Sequence, residues 1–185
     1  DTAPAVVAAN GESEVDLQVT EDGQWLSRLY AEKDLVPAEC LRQGAWQGLT
    51  PAELAAITSA IVYRSRTDTV RGAGVSPDSR LGQAVRATVR IADNIAQREE
   101  DAGVRVTEPV DLGLVAAVLQ WAQGANLETV LLTGDISAGD FVRWAKQVLA
   151  VLGQLFVAAP TGELRSHARG ARDLLRRGVV AWSSV

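Results

Sequence analysis

Apolar residues recur at spacings of three and four along most of this chain, the spacing of helices that each bury one face. A first helix is predicted over residues 32–44, ending near a glycine that suits the position after a helix. A second is predicted over 50–63. Its start is the clearest in the chain, because Thr50, Pro51 and Glu53 supply the cap, first-turn proline and third-position carboxylate of a capping box.

Further helices follow after a polar, glycine-containing stretch, 64–74, which we expect to be a mobile loop. Near-continuous apolarity over 112–121 indicates a helix buried on most sides, and we expect it to be the centre of the core. The remaining segments with helical spacing and end signals are 76–101, 126–132, 137–159 and 163–180.

The first residues carry a different pattern. Residues 1–24 lack helical periodicity and are interpreted as a linker or the remnant of a preceding domain, with one possible short strand at 15–19. Residues 25–185 are predicted to form the folded domain. Because helices do not alternate with strands, the fold class is all-α: a helical bundle of about six to seven helices with an irregular N-terminal segment.

Composition restricts the function. The formal net charge of −5 argues against wrapping duplex DNA by bulk charge, so any nucleic-acid contact must be local. With one cysteine and one histidine the chain offers no internal disulfide and no metal-ligand cluster. Cys40 is expected to be a small core residue and His167 a solvated one, in a reducing, cytoplasmic setting.

Three further features of the sequence concern membrane contact, the extent of the chain and cofactor binding. The sequence has no run of about 18 uninterrupted apolar residues, so we expect a soluble protein without a membrane contact. It contains no methionine and begins with Asp1, which suggests an excerpt of a longer chain. A phosphate-binding loop of the G-x-x-x-x-G-K-[ST] kind is missing, so no cofactor is expected in this stretch.

The helix predicted from Ser137 has two unlike faces. One side carries the apolar residues Phe141, Ala145, Val148, Leu149 and Leu152, and the other carries Asp140, Arg143, Lys146, Gln147 and Gln154. Arg143 and Lys146 could pair with phosphates, and Arg143 could also stack on a base. Trp144 lies at the border, where core packing is favoured over base stacking.

Four segments in order carry a family resemblance: AECLRQGAWQGLTPAELA at 38–55, AVLQWAQGA at 117–125, GDFVRW at 139–144 and RGVVAWSS at 177–184. Together they resemble the DSHCT domain, which closes the C-terminus of DExH-box RNA helicases of the superkiller and exosome-associated class. The copy is most similar to the actinobacterial HelY-type branch.

The resemblance implies a parent enzyme whose two RecA-like domains bind ATP and Mg²⁺ and pull single-stranded RNA in the 3′ to 5′ direction. It implies that the bundle packs against that motor, as part of a monomer, and that a long ratchet helix, here 137–154, lies beside the strand. The nucleic-acid-binding candidates are then Arg143, Lys146, Gln147, Asp140, Trp144 and Glu39.

Alternatives remain open for each candidate. Arg143 and Lys146 could form an ordinary solvated face. Glu39, which resembles a family acidic position, could bind a base, orient Arg143 or be a surface carboxylate. The arginine series of the last helix could bind phosphate, increase solubility or, as we favour, contact the motor. The whole domain could instead be a structural, protein-docking module without nucleic-acid contact.

Overall fold

The computed structural model describes residues 35–66, 71–159 and 161–182, and within these ranges the chain forms helices joined by turns, without strands. The helices are α1 (Leu35–Arg42), α2 (Pro51–Val62), α3 (Arg80–Asp101), α4 (Val115–Ala122), α5 (Leu127–Gly134), α6 (Ala138–Ala158), α7 (Gly162–Leu175) and α8 (Gly178–Trp182). The all-α prediction is confirmed. The possible strand at 15–19 and the proposed boundary after residue 24 lie outside the described residues.

The centre of the bundle is α2, not the 112–121 segment as predicted. All residues from 54 to 61 are buried, and α2 packs against α3, α4, α6 and α7. Its alanines allow neighbouring helices to approach closely, while the buried hydroxyls of Thr58 and Ser59 donate to the carbonyls of Leu54 and Ala56 at 2.7 and 2.6 Å. The prediction was wrong because it followed apolarity, whereas small residues with satisfied hydroxyls are buried equally well.

Side-chain caps fix where the helices begin. The capping box of α2 is present: Thr50 Oγ1 accepts from the Glu53 amide at 3.2 Å, and Glu53 accepts from the Thr50 amide at 2.8 Å. Ser137 caps α6 as predicted. Helix α3, however, begins at Arg80 rather than near residue 76, because Ser79 is the residue whose hydroxyl accepts from the Gly82 amide.

The predicted last helix, 163–180, is two helices. The backbone turns at Gly178, whose φ of +48° lies in the left-handed region that glycine tolerates. Arg177, just before it, donates from Nε to the Trp121 carbonyl at 3.0 Å and also bonds the Ala125 carbonyl, beyond the end of α4. Its guanidinium carbon lies 3.7 Å from the Trp121 ring centre. This anchoring of α8 to α4 brings the described helices to eight, one more than predicted.

Helix α6 is the one helix among the described residues that is long and apolar enough, by composition alone, to cross a membrane. A third of the relevant window, 33%, is buried within the bundle. The helix packs against α2, α5, α7 and α8. Core helices of soluble proteins meet the same criterion, so the finding is weak evidence for a membrane span.

A buried hydroxyl joins α1 and the following turn to α3. Thr88 Oγ1 accepts from the Trp46 indole nitrogen at 2.9 Å and donates to the Ala84 carbonyl at 2.8 Å. The Cys40 thiol lies 3.7 Å from the same oxygen. Burial raises the pKa of Cys40 to about 12, and the side chain is fully buried, which confirms the prediction of a core residue.

Replacement of Thr88 by valine should lower the free energy of unfolding by about 1–3 kcal/mol, because the buried Trp46 indole loses its acceptor while the shape at the position is kept. Thr88→Ser, which keeps the hydroxyl and loses a methyl group, is the matched control and should cost about 1 kcal/mol. Urea titrations of the three proteins test this, and a Thr88→Val protein as stable as the wild type would contradict it.

Candidate nucleic-acid interface

The two-faced character predicted for the helix from Ser137 is present in α6. Phe141, Ala145, Val148 and Leu152 are fully buried. Arg143, Lys146 and Gln147 are exposed on the opposite face, while Leu149 and Gln154 are half-buried at its edges. The helix therefore offers cations to the exterior while its other face belongs to the core.

Asp140 lies between two guanidinium groups at the start of α6. Its Oδ1 is 3.2 Å from Arg143 Nη2 and 3.4 Å from Arg66 Nη2. Its Oδ2 accepts from the Ser137 hydroxyl at 3.1 Å, so the residue is fixed by the helix cap. A carboxylate in the first turn also favours the helix dipole. Asp140 thus holds Arg143 in place, and as an anion it would repel a phosphate.

Further arginines surround this point, in a hollow lined by Tyr63, Arg64, Ser65, Arg66, Arg71, Asp135, Ile136, Ser137, Asp140, Arg143 and Trp144. Four arginines face two aspartates there, so the lining is net cationic although the chain is net anionic. Arg71 pairs with Asp135 and donates to the Gly134 carbonyl at 3.2 Å. Arg64 bonds the carbonyls of Ile61 and Tyr63, closing the end of α2.

Sequence pattern alone does not place these arginines beside α6, because the polar, glycine-containing composition of residues 64–74 predicts a mobile loop. The only local signal was the presence of three arginines in that short stretch. Asp111, which accepts from the amides of Ser65 and Gly113 at 2.7 and 2.9 Å, ties the start of this segment to the turn before α4. That bond spans 46 residues and could not be inferred from local pattern.

Trp144 is half-buried and packs its ring edge-to-face against Tyr63, with the ring centres 5.4 Å apart. The Arg143 guanidinium carbon lies 4.9 Å from the Trp144 ring centre. These contacts agree with the favoured packing role of the tryptophan. They also give Arg143 a second support besides Asp140.

Glu39 lies on another part of the domain, on α1, which packs against α3. Its carboxylate accepts from Arg42 at 2.6 and 2.8 Å and from Gln43 at 2.7 Å. It lines a hollow with Arg98 and Glu99. Hydrogen bonds from Arg42 lower the pKa of Glu39 to about 2. Among the described contacts, Asp140 rather than Glu39 orients Arg143.

Because the pKa of Glu39 is lowered below its usual 4.5, its contribution to stability is present above pH 4.5 and is lost as the pH falls towards 2. Glu39→Gln should destabilise the chain at pH 7 by up to about 1 kcal/mol, since Arg42 is largely solvated. The difference from the wild type should vanish near pH 2. Thermal unfolding over this pH range measures it, and a difference independent of pH would refute the assignment.

The arginines of the last segment have divided roles. Arg177 is used internally, as described above, and burial lowers its pKa. Arg177 therefore has a structural role within the domain, and its presence needs no contact with the motor to explain it. Arg169 on α7 and Arg176 just after its end are exposed, and Arg172 on α7 is half-buried. No group of three or more His, Cys, Asp or Glu side chains that could hold a metal ion occurs among the described residues.

The comparison with known families matches residues 16–183 to the DSHCT (NUC185) domain. The chain belongs to the DSHCT domain family, as its sequence segments predicted. It is 45% identical over 176 residues to the "Probable helicase HelY" of Mycobacterium leprae and 42% identical to that of Mycobacterium tuberculosis (strain ATCC 25618 / H37Rv), in each case over 90% of this chain.

A more distant relative is the "mRNA transport homolog 4" of Caenorhabditis elegans, 25% identical over 88% of this chain. The chain spans about a fifth of the length of the mycobacterial relatives, 19%, and 16% of the nematode one. The similarity to proteins named as helicases therefore concerns one domain of much longer chains.

Proposed function

We propose that this domain guides single-stranded RNA along the exposed face of α6 in an ATP-dependent 3′ to 5′ RNA helicase. The observation that carries the proposal is the cationic outer face of α6, with Arg143 and Lys146 outside a fully packed inner face. ATP and Mg²⁺ would bind RecA-like motor domains elsewhere in the same longer chain. Membership of the DSHCT family and the names of the mycobacterial relatives support the helicase assignment.

The side chains suit this role chemically. The guanidinium of Arg143 can bind a phosphate through two donors or stack on a base, and Asp140 and Trp144 hold it ready to do so. Lys146 would attract the backbone as a point charge, and Gln147 would donate to or accept from a base or ribose. Glu39 is left out of this path, because its carboxylate is engaged by Arg42 and Gln43.

The full-length protein with Arg143→Ala and Lys146→Ala should bind labelled single-stranded RNA more weakly and lose RNA-stimulated ATPase activity. Each lost phosphate contact should reduce the slope of log affinity against log salt by about 0.7, so the double variant should lose about 1.4. Fluorescence anisotropy over a salt series measures this change.

The matched control is Arg90→Ala with Arg105→Ala, which removes the same charge from exposed positions on α3 and the turn after it. Neither residue lies on α6, so the RNA affinity and the salt slope should stay at wild-type values. Equal effects in the two double variants would mean that net charge alone acts, and the α6 assignment would fail.

A second candidate function is a protein-docking module without RNA contact. Exposed apolar side chains favour it: Trp182 is 88% exposed and Leu132 is 77% exposed. Contiguous exposed apolar surface commonly marks contact sites, and Leu132 lines one hollow together with Leu127, Leu131 and Ile136. Under this function the Arg143 and Lys146 replacements would leave RNA affinity and salt slope unchanged.

A further inference from the structure

A second basic hollow lies between α6 and α7, apart from the one around Arg143. It is lined by Lys146, Leu149, Ala150, Arg172, Arg176, Val180 and Ala181. Every charged residue in this lining is cationic, whereas the hollow around Arg143 contains two aspartates. Like charges around one opening repel one another, and an anion bound between Arg172 and Arg176 would reduce that repulsion, so the arrangement suits an anionic ligand.

The α6–α7 hairpin creates this hollow. The two helices run in opposite directions, since Gly153 lies against Arg172 while the hollow joins Lys146 to Arg176. A Cβ built on Gly153 would lie 3.8 Å from the Arg172 guanidinium carbon, so the guanidinium rests on the backbone of α6. Arg169 and Arg172 lie three residues apart on one face of α7, and Arg176, the residue just after the end of α7, lines the hollow together with Arg172.

One hydrogen-bond donor of Arg172, its Nε, is unsatisfied in the part of the chain that the structure describes. Its Nε is buried and makes no hydrogen bond within the described residues, although the side chain as a whole is only half-buried. Because Nε is closed to solvent, a ligand could bind this guanidinium only through its Nη donors, and charge-assisted hydrogen bonds from those donors to a phosphate would be strong. Arg176, just after the end of α7, is exposed and lines the same hollow.

We propose that Arg172 and Arg176 form a second phosphate-binding site, so that a single strand passing Arg143 and Lys146 on α6 continues onto α7. The identity of the ligand rests on the function proposed above. Three cations around an apolar floor of Leu149, Ala150 and Val180 match the chemistry of a single strand, with phosphates on the cations and bases or riboses on the apolar surface.

Arg143 and Arg172 are far enough apart along α6 to need separate phosphates. Ten residues of helix separate Arg143 from Gly153, against which Arg172 rests, which corresponds to about 15 Å along the axis of α6. At about 3.4 Å per stacked nucleotide, this distance spans about four nucleotides. A strand of 12 nucleotides can therefore occupy both sites at once.

The test uses the full-length protein with Arg172→Gln and Arg176→Gln and a labelled 12-nucleotide oligouridylate. Binding should weaken, and the slope of log affinity against log salt should fall by about 1.4, since two phosphate contacts are lost. Arg90→Gln with Arg105→Gln, the matched control, should retain the wild-type slope. Arg172→Lys with Arg176→Lys should also retain it, because the charges remain.

The melting temperature and the ATPase activity without RNA distinguish RNA binding by these arginines from a contact with protein. If these fall in the Gln variant while the salt slope for RNA is unchanged, the arginines contact an acidic protein surface and the proposal is overturned. An unchanged slope with unchanged stability equally overturns it, since the arginines are then merely solvated.

Comparison with Arg143→Ala alone separates this inference from the proposed function, because Lys146 also lines the second hollow. If only the Arg172 and Arg176 replacements reduce the slope, the second site stands and the role of Arg143 on α6 fails. If only the Arg143 replacement does so, α6 guides the strand and the second site is refuted.

Discussion

The structure depends on the burial of the middle of one helix, α2. Residues 54–61 are all buried, none of them more than 5% exposed, and four other helices pack around α2. Because α6 buries Phe141, Ala145 and Val148 in this core, its rotation about its own axis is fixed. The outward direction of Arg143 and Lys146 is therefore a consequence of packing, and α7 gains its place by packing on both α2 and α6.

Sequence rules predicted the structure correctly where the interacting residues lie within one helical turn of each other. The capping box at Thr50, the cap at Ser137 and the alternation of faces along α6 all follow from residues a few positions apart. Long-range contacts decided the rest. The break at Gly178 depends on Arg177 reaching Trp121, and the position of Arg66 and Arg71 depends on aspartates far along the chain. No periodicity encodes such pairs.

The segments that carry the family resemblance mostly build the scaffold. In the first of them Cys40 and Trp46 are buried, and Trp46 bonds Thr88; in the second, Trp121 receives Arg177. GDFVRW at 139–144 follows the cap at Ser137 and combines the core residue Phe141 with the exposed cation Arg143. The resemblance thus reports the shape of the domain more directly than its ligand. Arg172 and Arg176 lie outside those segments, and it is the structure that brings these members of the arginine series beside Lys146.

The carboxylate of Asp140, shared by Arg66 and Arg143, has a consequence for a polymer that must move. A strand that slides has to leave each position as easily as it entered. A deep minimum in its binding free energy at any one cation would therefore stall it. An internal anion competing for the same guanidiniums makes each minimum shallower, because departure of the phosphate is compensated at once by the returning ion pair. Such a surface would behave as a low-friction guide rather than as a clamp.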